Sequence, residues 1–168
     1  MFDTKAILLS SNEKGVLIAA IGKAVQAFQD ATDRFDEAAA ARLGLNRTDL
    51  RCLGVVAERG PVSVGDIGRA VDLTRGASTT ALDRVERAGY ARRIRHPQDR
   101  RGVLIEITER GLSAAGAIWA PVVAAGETLL AKYSDQELAT ILDFLEQART
   151  IQLEHLARPG ADESIPTT

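Results

Sequence analysis

Along residues 13–42 the apolar positions Leu17, Ile21, Ala24, Phe28, Ala31 and Phe35 fall at alternating steps of four and three, which predicts one long amphipathic helix ending near Gly44. Asn46 is then placed to cap a second helix, with Asp49 in its first turn and Leu50, Leu53, Val56 and Ala57 on one face, and Gly60-Pro61 stops it. Ser63 caps a short third helix through Asp66, Ile67 and Ala70, the chain turns at Asp72-Leu73, and Thr74 caps a fourth over 75–88. Ala77, Ala81, Leu82, Val85 and Ala88 line one side of that helix, which stops at Gly89. Residues 91–95 and 103–108 read as strands, since Val103, Ile105 and Ile107 alternate with Leu104 and Glu106, and a basic proline turn joins the two. From Gly111 the stripe Leu112, Ala115, Trp119, Val122, Gly126, Leu129 and Tyr133 predicts a helix over 109–132, bent at Pro121. Ser134 and Glu137 form a capping box for a last helix carrying Leu138, Ile141, Leu142, Leu145 and Ala148.

The pattern is mainly α with a small β-wing, and its organisation follows. A long helix over 13–44 precedes a helix-turn-helix and wing over 45–110. Two further helices fill 111–157, and the polar segment 158–168 reads as a disordered tail. The three long helices offer more apolar face than the small middle region covers, so a second chain is expected to bury it. The other reading is a monomer that folds these helices over its own core.

Net charge changes this picture only once it is divided. The whole chain carries −2, yet between Arg69 and Arg101 nine arginines face four acidic residues, a local balance of +5 inside a remainder of −7. A basic segment in an acidic chain marks a contact surface for an anion. Five of those arginines crowd the turn region, as Arg92, Arg93, Arg95, Arg100 and Arg101, with Asp99 among them. Cys52, the one cysteine, excludes an internal disulfide and falls among apolar residues. His96 and His155 lie far apart and outside any metal-ligand spacing, so both read as surface residues and no metal or cofactor is expected. No nucleophile elbow, phosphate loop or catalytic carboxylate pair is present, which argues against an enzyme. The segment MFDTKAILLSSNEKG is too mixed for a secretion signal, and no apolar run reaches membrane-spanning length; a cytoplasmic protein is expected.

From about Leu45 to Gly111 the order of elements, with LTRGASTTALDRVERAGYARRIRHPQDRRGVLIEITERG, resembles the winged helix-turn-helix core of the MarR family of transcriptional regulators. Asp99 and Arg101 match the family's D-x-R wing pattern, the alternating strand ends in a T-E-x-G helix start at Thr108, and Arg93 stands as the basic residue after the recognition helix. One departure is Thr80, where many members carry a basic residue. The long helices fit the family's dimerisation layout. The resemblance implies a homodimeric, sequence-specific DNA-binding regulator, a repressor relieved by a small ligand, acting on inverted-repeat duplex DNA.

It also implies site residues. Arg75, Gly76, Thr79 and Thr80 head the fourth helix and would meet base edges in the major groove. Arg84, like Arg87, either meets phosphate or pairs with Asp83 and Glu86 on its own helix. Arg93, Arg95, Arg100 and Arg101 supply the wing, with Arg101 in the minor groove; Asp99 either orients Arg101 or caps turn amides. For an aromatic or anionic effector, Phe28, Phe35 and Trp119 with Arg34 and Arg51 are the candidates, although aromatics at helical spacing are ordinarily core. A different class of function stays open at this point, a winged-helix module whose arginines meet an acidic protein.

Overall fold

The computed structural model describes residues 11–99 and 102–157. Its elements are α1 (Ser11–Arg42), α2 (Arg47–Arg59), β1 (Val62–Ser63), α3 (Val64–Val71), α4 (Arg75–Arg87), β2 (Ala91–Arg95), β3 (Val103–Ile107), α5 (Glu109–Leu130) and α6 (Asp135–Ala157). The expectations for Arg100, Arg101 and the tail over 158–168 lie outside the described residues. The chain divides into two compact units, Met1–Ile118 and Trp119–Thr168.

In the first unit, local chemistry starts each helix. Asn46 accepts from the Asp49 amide at 2.9 Å while the Asp49 carboxylate accepts from the Asn46 amide at 3.4 Å, a reciprocal cap for α2. Ser63 caps α3 through the Asp66 amide at 3.1 Å and donates its hydroxyl to Asp66 Oδ2 at 2.5 Å, a bond that holds the Asp66 carboxyl below its ordinary range. Asp72 ends α3 in the left-handed region, and Thr74 caps α4 two residues on. Helix, tight turn and helix are thereby built.

Leu53 and Val56 of α2, Ile67 and Val71 of α3, Ala81, Leu82 and Val85 of α4 and Ile105 of β3 close over one core. The α3–α4 approach is tight at Gly68, where a Cβ would lie 2.5 Å from Ser78 Oγ and 3.1 Å from the Leu73 carbonyl. Ser78 is fully buried, and its hydroxyl donates to the Thr74 carbonyl at 2.9 Å, so this polar atom is not left unpaired in the core. Ala57 and Ala77 were expected on the apolar faces and are exposed; Cys52, Val55 and Ser78 occupy the inward positions. Alanine is content in either environment, so it carries little information about helix phase.

The sheet has three antiparallel strands in the order β1-β3-β2, with Val62 opposite Ile105 and Arg93 opposite Ile105 on the other side. Two strands were expected. The two-residue β1 is too short to show alternation, and it exists by pairing with the free edge of β3. Thr108 then fastens the start of α5: its hydroxyl donates to the Gly89 carbonyl at 2.7 Å and accepts from the Gly111 amide at 3.0 Å. At Gly111 a Cβ would fall 2.2 Å from the Tyr90 carbonyl oxygen.

In the second unit, Ser134 and Glu137 form the expected box, Glu137 Oε2 accepting from the Ser134 amide at 2.8 Å and hydroxyl at 2.7 Å. These bonds, the backbone one first, hold the Glu137 carboxyl below its usual range. Pro121 lies inside a helix assigned continuously over Glu109–Leu130. Much apolar surface is left open: Val122, Val123, Leu129, Phe144, Leu145 and Ile151 here, and Leu17, Ile18, Ile21 and Phe28 on α1. One expectation is corrected. By length and composition α5 is apolar enough to cross a membrane, although no uninterrupted run of large apolar residues marks it, because its many alanines, with Val, Leu and Ile among them and few charges, raise its average.

Gly111→Ala is expected to destabilise the first unit by ~1–3 kcal/mol, because the added methyl must displace backbone. Gly54→Ala, where a Cβ meets nothing in mid-helix, should instead stabilise by up to about 1 kcal/mol. Denaturant titration of the two variants checks the contrast.

Candidate nucleic-acid interface

The outward face of α4 carries Arg75, Gly76, Thr79, Thr80 and Arg87, all exposed. No acidic residue stands in its first turn, so the helix N-terminus and Arg75 present uncompensated positive charge. Thr79 and Thr80 donate their hydroxyls to the carbonyls of Arg75 and Gly76 at 2.9 and 3.1 Å. Each is left with an oxygen that accepts and a methyl that packs, the complement of an amino group or a thymine methyl on a base edge. A Cβ at Gly76 would meet nothing within the chain, so the glycine leaves room for an outside surface rather than an inside one.

The next arginine on the helix is engaged within the protein. Arg84 donates from Nε to Asp49 Oδ2 at 2.8 Å and Oδ1 at 3.1 Å, and from Nη2 to Oδ1 at 2.6 Å. Asp49 is 1% exposed and the Arg84 side chain 39%. The hydrogen bonds to Asp49 raise the Arg84 pKa further above its already high value. Of the two expectations for Arg84 and Arg87, phosphate contact or pairing with Asp83 and Glu86, the second does not hold, because those two acids pair with Arg93 of β2. Arg93 donates from Nη2 to Asp83 at 2.5 Å, from Nη1 to Glu86, and from its amide to Glu86 at 3.1 Å. Asp49 was missed as a partner because it stands 35 residues from Arg84, and its capping position already accounted for it.

The wing is the β2–β3 hairpin. Arg92 Nε donates across it to Glu106 at 2.5 Å. At the tip the His96 amide donates to the Gly102 carbonyl and the Gly102 amide to the Asp99 carbonyl, each at 2.9 Å. His96 Nδ1 accepts from the amides of Gln98 and Asp99 at 3.2 and 3.0 Å. The histidine read as a plain surface residue therefore organises the turn, a role visible only once its neighbours' amides are placed. Gly102 is tightly held too, a Cβ there lying 2.8 Å from His96 Cβ. The proposed partner of Asp99, Arg101, is outside the described residues. Arg75, Arg87 and Arg95 make no ion pair with another described residue. An open cleft of about 660 Å³ joins the start of α3, at its cap Ser63 and at Gly65, to Arg69, Arg75 and the wing residues Gly102 and Val103. Arg69, which pairs with Asp66, was not singled out from sequence.

The effector candidates fall on several elements. Phe28 on α1 is 71% exposed, Arg34 and Arg51 are exposed and Phe35 is half-buried, whereas Trp119 belongs to the second unit. None of them lines the cleft. Cys52 is buried in α2, and burial raises its pKa, which keeps it a thiol. His155 lies exposed on α6 against the Ile151 carbonyl, and no cluster able to hold a metal occurs among the described residues.

The pattern that defines the MarR family matches residues 43–102. The helix-turn-helix-type transcriptional regulator YcgE of Bacillus subtilis is 35% identical over 138 residues, spanning 80% of this chain and 90% of the relative. MhqR of the same organism, also a helix-turn-helix-type transcriptional regulator, is 26% identical across 62% of this chain and 72% of its own. Among solved structures, YusO of Bacillus subtilis superposes with a TM-score of 0.59 at 18% identity, covering 84% of this chain and 98% of that one. Apo MarR of E. coli gives 0.55 at 21%, covering 76% and 95%. These likenesses bear out the mainly α fold with its small sheet.

His96→Ala should free the Gln98 and Asp99 amides and speed their hydrogen exchange several-fold, with exchange in α4 unchanged. His96→Asn, whose side-chain oxygen stands near the place of Nδ1, should retain most of the protection. Equal exchange in the wild type and the alanine variant would show that His96 does not organise the tip.

Proposed function

The chain belongs to the MarR family of transcriptional regulators, DNA-binding proteins and not enzymes, and from that premise we propose a homodimeric, cytoplasmic repressor of inverted-repeat operators, released by a small ligand. The observation that carries the DNA contact is the face of α4, where Arg75, Gly76, Thr79 and Thr80 stand exposed beside the wing. These four would enter the major groove, with Arg95 and Arg100 toward phosphates and Arg101 in the minor groove, oriented by Asp99. Residues 45–110 are the DNA-binding part in this reading, and 13–44 with 111–157 the dimerisation part. The open apolar surface of α1, α5 and α6 supports this division, because a monomer would leave it in water. A single module also makes too few contacts for tight binding. No observation favours the alternative of an acidic protein partner.

Selection of random duplex DNA by the purified protein should return an inverted repeat with half-site centres one helical turn, about 10 bp, apart. Sedimentation at micromolar concentration should give a dimer. An asymmetric site bound by a monomer would overturn the reading.

The candidates for effector contact are Phe28, Arg34, Phe35 and Arg51 in the first unit and Trp119 in the second, each taken separately, and an effector acts only through its difference in affinity between DNA-competent and other states. Trp119 is the sole tryptophan. Phenolic acids titrated into the protein–DNA complex should change its fluorescence and release DNA in parallel; a broad panel that does neither removes ligand control.

A further inference from the structure

Asp49 and Arg84 lie on different helices, and their contact sits beneath the proposed reading surface. Gly76, Thr80 and Arg84 follow one another at steps of four, so they form a single ridge along α4. Whatever fixes the direction of Arg84 also fixes the rotation of α4 about its axis, and with it the aim of Thr80. Asp49 is the fixing group. Its carboxylate is buried at the rigid, capped start of α2 and takes the Nε and Nη2 edge of the guanidinium with both oxygens. On the other flank Arg93 ties Asp83 and Glu86 of α4 to β2. The charge of Arg84 is thus met inside the protein.

We propose that Asp49 is a positioning residue for DNA recognition, which through Arg84 sets the angle at which α4 offers its base-reading side chains, and that Arg84 serves as this clamp rather than as a phosphate contact. This rests on the reading of α4 as the recognition helix. A clamp of this kind acts on discrimination. Non-specific affinity, which comes from phosphate neutralisation, depends on charges that the clamp does not supply.

The test compares the wild type with Asp49→Asn, Arg84→Gln, Arg84→Lys and the double variant Asp49→Asn/Arg84→Gln, on the selected duplex and on a random one across a salt series. Each single variant should lose about tenfold in the ratio of selected to random affinity, comparable to one good base contact. Affinity for random duplex and the salt slope should stay at wild-type values. The double variant, which keeps a neutral pair of similar volume without a buried unpaired charge, should do no worse than the poorer single one. Arg84→Lys should not restore the ratio, because an ammonium cannot make the two-pronged grip. A salt slope reduced by about one in Arg84→Gln would overturn the proposal, as would additive losses or full rescue by lysine.

Should the variants fail to fold, nitrogen-labelled arginine in the wild-type protein decides. The Arg84 Nε–H signal should be protected from exchange and keep its shift when the selected duplex is added; a large shift makes Arg84 a DNA contact. A wild-type protein that binds no duplex overturns the recognition-helix reading itself, and this proposal falls with it.

Discussion

A carboxylate taken out of water must be met on every side, and Asp49 is met by the backbone of its own helix cap and by the guanidinium of Arg84. That requirement makes α2 and α4 a fixed pair, with α3 wedged against α4 at Gly68. The strand that follows α4 is held by Arg93, and the start of α5 is fastened to the loop after α4 by Thr108 and the missing side chain of Gly111. The helix proposed to meet DNA is therefore held on three sides, by α2, α3 and β2. Rigidity there has a use, since base readout depends on side chains arriving at a set angle.

The arginines divide by this logic into two classes. Arg69, Arg84, Arg92 and Arg93 are spent on partners inside the chain, so much of the local excess charge is structural. Arg75, Arg87 and Arg95 remain directed to solvent, and they supply the described part of the field that draws a polyanion. The dense run of basic residues thus does two jobs that a charge count alone cannot separate.

What was legible in the sequence was the part written in local chemistry. Asn46, Ser63, Thr74 and Ser134 all cap the helices expected of them, and Gly60 and Gly89 end or follow theirs with positive φ. The β2 strand falls on its expected residues and β3 within one of them. What escaped was long-range. The partners of Arg84 and Arg93, the two-residue β1, the role of His96 and the burial of Ser78 each depend on residues distant in sequence or on backbone groups that no pattern displays. The alanines misled for a related reason, because a small side chain does not declare which way it faces.

Hydroxyl-radical footprinting of the protein on a selected duplex tests the central claim most directly, since it reads groove, symmetry and face together. Two α4 helices and two wings predict protection on one face of the duplex, symmetric about a dyad, centred on successive major grooves about 10 bp apart and extending into the flanking minor grooves. A single protected patch without a dyad, or protection spread evenly around the duplex, would contradict the account.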